Sequence, residues 1–174
     1  MHPLHSFAFC PHCGAPVFNE DGPRSKKCAN CGFNFYLNPA AAVAALITNS
    51  SGELLLTRRA FEPQKGTLDL PGGFAELDET LEEALKREIR EELNTEIVNI
   101  NYFTSQPNRY PFGGLTVHTL DCFFTAQVPE NSNLEANDDV DSYEWFSAQN
   151  IELEQIGLPS IRKAVAEWIR RTTI

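Results

Sequence analysis

Glu88, Glu91 and Glu92 stand at positions i, i+3 and i+4 of the segment Arg87-Glu88-Ile89-Arg90-Glu91-Glu92. On an α-helix this spacing brings three carboxylates to one face. Like charges side by side repel unless a cation sits among them. Hard oxygen donors at this density suit Mg²⁺ or Mn²⁺. A second constellation is softer. Cys10-Pro11-His12-Cys13-Gly14 and Cys28-Ala29-Asn30-Cys31-Gly32 are two C-x2-C-G knuckles. Four thiolates so spaced give a closed, tetrahedral Zn²⁺ site of structural type. The alternative is a pair of disulfides. The odd fifth cysteine, Cys122, and a start without a basic region followed by an apolar stretch count against it. Cys122 lies in the apolar run Leu120–Ala126 and reads as a small core residue. His12 sits in a knuckle that already has two sulfurs and is expected at the surface.

These groups need elements to hold them. Leu81, Leu85, Ile89 and Leu93 recur every fourth residue and mark the buried stripe of the glutamate helix. Glu88 and Glu92 fall within the same arc, where a merely solvated helix would carry apolar side chains. In front of the helix lies the loop Pro71-Gly72-Gly73. Ala40–Thr48, Glu53–Arg59, Ile97–Phe103, Thr116–Val128 and Tyr143–Phe146 read as strands, with Asn49-Ser50-Ser51-Gly52 as a hairpin turn. Thr67–Leu70 is a short extended piece. Pro159–Arg171 reads as a helix with its proline at a start position. This order fits an α/β fold, with helices on both sides of a mixed sheet. Two units follow: a metal-held ribbon over 8–38 and a larger domain over 39–174. The ribbon has too little apolar content to fold alone, so zinc supplies its folding energy. Phe33, Phe35 and Tyr36 are expected to pack it against the larger domain.

The pattern from Gly73 through Glu79 to Arg87-Glu88-Ile89-Arg90-Glu91-Glu92 reads G-x5-E-x7-R-E-U-x-E-E, where U is aliphatic. It resembles the signature of the Nudix hydrolases. The family pattern continues x-G-U, and here Leu93-Asn94-Thr95 stands in its place. Asn is the next best residue to Gly for a left-handed helix cap, so the turn survives. The resemblance implies an α/β/α sandwich and a metal-dependent hydrolase. Its substrate would be a nucleoside diphosphate linked to another moiety, attacked by water at phosphorus. Glu88, Glu91 and Glu92 would hold Mg²⁺ or Mn²⁺, with the Gly73 carbonyl able to complete the shell. Arg87 would hold a box glutamate in place. Glu79, at the helix start, would be stabilised by the exposed amides and reach metal-bound water. Glu91 is the first choice of general base, and the acidic loop over 135–139 is the second source. Of Arg58 and Arg59, consecutive on a strand, one can point into the cleft and hold a phosphate.

A four-cysteine ribbon before such a domain resembles the NADH pyrophosphatases. Their Ser-Gln-Pro-Trp-type motif has a counterpart in Ser105-Gln106-Pro107, without the tryptophan. Arg109 and Tyr110 follow it and are candidates to read the substrate. Candidate substrates are NADH, ADP-ribose, ADP-sugars and related dinucleotides. The net charge is −10, and the segment 76–96 supplies most of it, with nine acids against three bases. That argues against broad nucleic-acid binding, which needs a basic footprint. The competing reading is a ribbon that binds nucleic acid through Arg24, Lys26 and Lys27, with the larger domain acting as a nucleotide sensor. The longest apolar run, Ala40–Ile47, suits a buried strand rather than a membrane span. The expected setting is cytoplasmic, the expected partner a small nucleotide, and a homodimer is left open.

Overall fold

The computed structural model describes residues 3–130 and 132–173. The chain divides into two compact units: Met1–Pro39 with Arg109–His118, and Ala40–Asn108 with Thr119–Ile174.

In the first unit, β1 (Phe18–Gly22), β2 (Ser25–Cys28) and β3 (Asn34–Tyr36) form an antiparallel sheet in that order. Gly14 and Gly32 take φ of +73° and +77°, which turns their N–H groups back onto the carbonyls of Cys10 and Cys28. Glycine adopts this left-handed turn without steric cost. Cys10, Phe18 and Cys28 make a small core, with Phe33 and Phe35 packed on it. Those two aromatics thus serve the ribbon's own core, while Tyr36 is exposed. A unit this small needs them to cover its cysteines.

In the second unit, β4 (Ala40–Thr48) runs parallel to β8 (Leu115–Gln127) in an unbroken register from Ala40↔Thr119 to Thr48↔Gln127. β4 turns into β5 (Leu54–Arg59) through Asn49, whose side-chain oxygen accepts the N–H groups of Ser51 and Glu53. β5 pairs antiparallel with both β6 (Leu68–Asp69) and β9 (Val140–Phe146). The order is β6-β5-β4-β8-β7, with β7 (Val98–Phe112) at the edge. The sheet is therefore mixed. α1 (Leu81–Leu93) lays Ala84, Leu85, Ile89 and Leu93 on Val43, Ala45 and Ile47 of β4 and on Cys122, Phe124 and Ala126 of β8. α2 (Pro159–Thr172) buries Ile161, Ala164, Val165 and Trp168 in the opposite layer.

Two elements differ from the sequence reading. β7 is one strand of 15 residues rather than Ile97–Phe103, so Ser105-Gln106-Pro107 lies within a strand and not at its end. Pro107 and Pro111 read as breakers, but at a sheet edge a missing N–H can face away from the ladder. Gly113 and Gly114, both at positive φ, close the hairpin to β8. β9 starts at Val140 rather than Tyr143, because the exposed polar pair Asp141 and Ser142 hides its first residues.

The start of α1 is defined chemically. The Thr80 Oγ1 accepts the Glu83 N–H at 3.2 Å, and the Glu83 carboxylate accepts the Thr80 N–H at 2.9 Å. This reciprocal cap satisfies two otherwise orphaned donors. At the other end Asn94 takes φ +49° and ψ +37°, the left-handed cap expected of it. Replacing Thr80 by Ala should lower stability by about 1 kcal/mol. Urea unfolding should show a lower midpoint with an unchanged slope.

Candidate active site

The glutamate helix is oriented by a loop that behaves as an extra strand. Pro71 O accepts the Ala45 N–H at 2.9 Å, and Gly73 O accepts the Val43 N–H at 2.8 Å. Ala75 N–H returns to Ala41 O at 3.1 Å. This binds residues 71–75 along the stretch of β4 that β5 leaves unpaired. Gly72 has φ +142°, and a Cβ there would lie 2.2 Å from the Val43 carbonyl oxygen. A Cβ on Gly73 would lie 2.6 Å from the Glu88 carboxyl carbon. Closeness to the sheet backbone demands the first glycine, while at the second the flexible end of Glu88 would have to give way.

Arg87 gathers the acids. Its guanidinium meets Glu79 with two bonds of 3.0 Å, Glu88 at 2.8 Å and Glu91 at 3.0 Å, and it donates to Phe74 O at 3.0 Å. The fork of five N–H donors is thus shared among three carboxylates and one carbonyl. Glu79 is held below the usual carboxylate range, first by Arg87 and then by the Glu76 N–H. The same contacts, led by Glu79, push the Arg87 guanidinium further towards its charged form.

Glu92 is treated differently. It is 6% exposed, and the Gly72 N–H donates to its carboxylate at 2.9 Å. Burial pushes its pKa well up, against that hydrogen bond, and the nearby charges of Glu88, Asp69 and Asp139 add to the rise. Burial also raises Glu88, against Arg87, with Glu91 and Asp138 as further like charges. The acidic loop over 135–139 is tied to the end of α1. Glu135 and Asn137 donate their N–H groups to Leu93 O and Glu92 O, and Asn94 Nδ2 donates to Glu135 at 3.0 Å. The arrangement gathers more negative charge than Arg87 can balance. Carboxylates are the hard donors that a divalent cation takes.

Arg58 and Arg59 part ways, as consecutive strand residues must. Arg59 meets the buried Asp69 at 2.6 Å and donates to Pro63 O. Arg58 donates to Gly66 O and lines a cavity of about 190 Å³ with Leu56, Leu68, Ser142 and Glu144. Arg109 and Tyr110 belong to the first unit, where the Tyr110 ring lies 6.5 Å from that of Phe112. Sequence reasoning passed over Asp69 and the Gly72 amide. A single acid in a short apolar strand carries no spacing signal, and a backbone donor carries none at all.

The four ribbon thiols lie within 4.8 Å of one another. Cys13 is drawn down to about 6, first by the Ala15 N–H and then by the Asn30 amide. Cys31 is pushed up to about 12: the Phe33 N–H favours its thiolate, but desolvation and the neighbouring sulfurs outweigh it. Thiols this close cannot all ionise without a cation, and the cluster can hold a metal ion. His12 is exposed and stacks on Phe33. The basic cluster is mostly engaged: Lys26 is buried, donates to Phe7 O at 2.6 Å and sits over the Phe18 ring, while Arg24 bonds Asn38. Among the described residues no helix is long and apolar enough to cross a membrane.

A mixed sheet that seats a glutamate-bearing helix, with two glycines pressed between them, makes an α/β/α sandwich. A family model for the NUDIX domain matches residues 38–169, and the chain belongs to that family. The chain is 32% identical over 149 residues to the "NAD-capped RNA hydrolase NudC" of Deinococcus radiodurans, covering 84% of this chain and 51% of that protein. It therefore spans about half the length of that relative. It is 35% identical over 138 residues to the "ADP-ribose pyrophosphatase" of Methanocaldococcus jannaschii, covering 78% of each. A NUDIX hydrolase from Nitrosomonas europaea shares the fold, with a TM-score of 0.73 at 24% identity over 95% of this chain and 92% of that one.

Raised carboxyl groups make a prediction whose sign can be worked out. A carboxyl with a folded pKa above its ordinary value near 4.5 binds more protons when folded than when unfolded. Metal-free stability should therefore fall as pH rises from about 4.5 through the raised folded value. Glu92→Gln keeps an acceptor for Gly72 and removes the buried charge. At pH 7 without metal it should melt higher than the parent, and added Mg²⁺ or Mn²⁺ should raise its melting temperature less. Thermal denaturation at several pH values, with and without metal, checks both signs.

Proposed function

We propose that the chain hydrolyses the pyrophosphate bond of a nucleoside diphosphate linked to another moiety, with an ADP-ribosyl compound as the preferred class. The observation that carries this reading is the Arg87 network beside the buried Glu92, a set of acids ordered for a divalent cation. Two relatives point to the substrate class. ADP-ribose is the compound in the name of one, and an NAD cap, named in the other, contains an ADP-ribosyl unit. NADH also contains an ADP-ribosyl unit, whereas ADP-sugars share with it only the ADP half and the pyrophosphate bond.

Glu88, Glu91 and Glu92 are the proposed holders of Mg²⁺ or Mn²⁺, and the Gly73 carbonyl, with a second lone pair beyond its bond to Val43, is available to join them. When bound, such an ion neutralises diphosphate charge and lowers the pKa of a coordinated water. The chain's own residues do the rest. Arg87 holds Glu88 and Glu91 in fixed directions and itself stays charged. Its bond to Phe74 O ties the loop to the helix. Glu91, half exposed where Glu88 and Glu92 are largely covered, is the proposed acceptor of the proton from the attacking water. Glu79 supports Arg87 from the loop side. Arg58 keeps its place as a candidate phosphate contact, while Arg59 is engaged by Asp69. The roles of Arg109 and Tyr110 rest on the sequence alone. The ribbon is proposed to hold one structural Zn²⁺ on Cys10, Cys13, Cys28 and Cys31, a donor set that favours this ion.

Two measurements test the reading. A screen of ADP-ribose, NADH, NAD⁺, ADP-glucose and diadenosine compounds, with Mg²⁺ and with Mn²⁺, should show AMP release from the ADP-ribosyl compounds. Glu91→Gln should lose about a hundredfold or more of that turnover. Wild-type rates in the variant would remove Glu91 from the chemistry. Metal analysis should find about one zinc per chain, and the exposed Cys13 and Cys31 should resist alkylation until a chelator is added. Ready alkylation of these two in the folded protein would exclude the zinc site.

A further inference from the structure

Asp69 ends β6 and is only 5% exposed. One of its oxygens accepts Arg59 Nη1 at 2.6 Å, and the other accepts the Leu70 N–H at 2.8 Å. Arg59 spends a further donor on Pro63 O at 2.7 Å. The pair thus fastens the chain on both sides of the turn that joins β5 to β6. β6 is only two residues long and makes two pairings with β5, too few to define by themselves where the following loop begins.

That loop has little tolerance. From Leu70 to Gly73 each residue is fastened once: Leu70 to the Asp69 carboxylate, Pro71 to Ala45, Gly72 to Glu92 and Gly73 to Val43. A Cβ at Gly72 would lie 2.2 Å from the Val43 carbonyl oxygen, so the loop cannot move closer to β4, while Gly73 faces the flexible carboxyl end of Glu88. A displacement of the loop's start is therefore passed first to Glu92, through the Gly72 N–H, and less directly to Glu88.

We infer that Asp69, clamped by Arg59, is a positioning residue for the glutamate site. It sets where the Leu70–Gly73 loop begins, and through the Gly72 N–H and the Gly73 Cα it sets the places of Glu92 and Glu88. This rests on the proposed function, in which those glutamates hold the metal ion. The competing account is an ion pair that stabilises the fold and does nothing for the site.

Asp69→Asn keeps an oxygen for the Leu70 N–H and removes the charge that Arg59 grips. Arg59→Lys keeps a charge and loses the fork that reaches Pro63 and Asp69 together. Three readouts are taken on folded protein. In the metal-free state, hydrogen exchange at the Gly72 amide should be about tenfold or more faster in Asp69→Asn than in the parent, and less so in Arg59→Lys. Mn²⁺ affinity, read directly by electron paramagnetic resonance, should fall by about ten- to a hundredfold, the scale for residues that orient metal ligands. At saturating Mn²⁺, kcat for ADP-ribose should drop while KM stays within about twofold. A lower melting temperature with parental Gly72 exchange and Mn²⁺ affinity would show a purely structural pair and overturn the inference. So would failure of both variants to fold. If the parent binds Mn²⁺ yet cleaves none of the substrates, the proposed function fails, and the exchange and affinity readouts still decide the role of Asp69.

Discussion

Glu92 carries a carboxylate into the interior on a helix face it shares with Ile89 and Leu93. Removing that charge from water is costly, and the charges of Glu88, Asp69 and Asp139 nearby raise the cost further. One backbone donor, the Gly72 N–H, meets it at 2.9 Å. The local architecture follows from that single contact. For the amide to reach the carboxylate, the loop must lie flat against β4, which excludes any side chain at Gly72. For the helix to bring Glu92 there, Ala84, Leu85 and Ile89 must seat on β4 and β8. The packing and the charge burial are one constraint seen from two sides.

Arg87 solves a related problem with opposite means. It lies largely covered beside three carboxylates and balances them by a forked guanidinium rather than by exposure to water. A lysine could offer one point charge but not five directed donors. Because Arg87 also bonds Phe74 O, the electrostatic cluster and the loop along β4 move together. The site is stiff for this reason, and stiffness suits phosphoryl chemistry, where positioning matters more than covalent participation.

The ribbon follows the same logic with softer donors. Its core is three buried residues and two aromatics, far short of what a free-standing domain needs. The knuckle turns crowd four thiols so that they cannot share a common protonation state, and one is driven down while another is driven up. In both units polar groups are brought closer than they would choose in water, and a cation of matching hardness is the natural relief.

Much of this was written in short-range spacing. The i, i+3, i+4 glutamates, the four-residue apolar stripe, the paired C-x2-C-G knuckles and the left-handed cap at Asn94 each depend on residues within one turn or one knuckle, so the sequence alone determined them. The parallel pairing of β4 with β8 joins segments some 80 residues apart, and no local pattern specifies that register. β7 was cut short in the sequence reading because Pro107 breaks a strand only where its missing N–H faces a neighbour, which an edge position avoids. Arg58 and Arg59 looked alike in sequence. Asp69, ten residues on from Arg59, decided which of them is engaged inside the fold. The sequence by itself determined which residues are candidates for chemistry and which faces they share. The tertiary structure decided which backbone amide meets Glu92, which acids surround it and which arginine is already taken, because these depend on contacts between segments that only the folded sheet brings together.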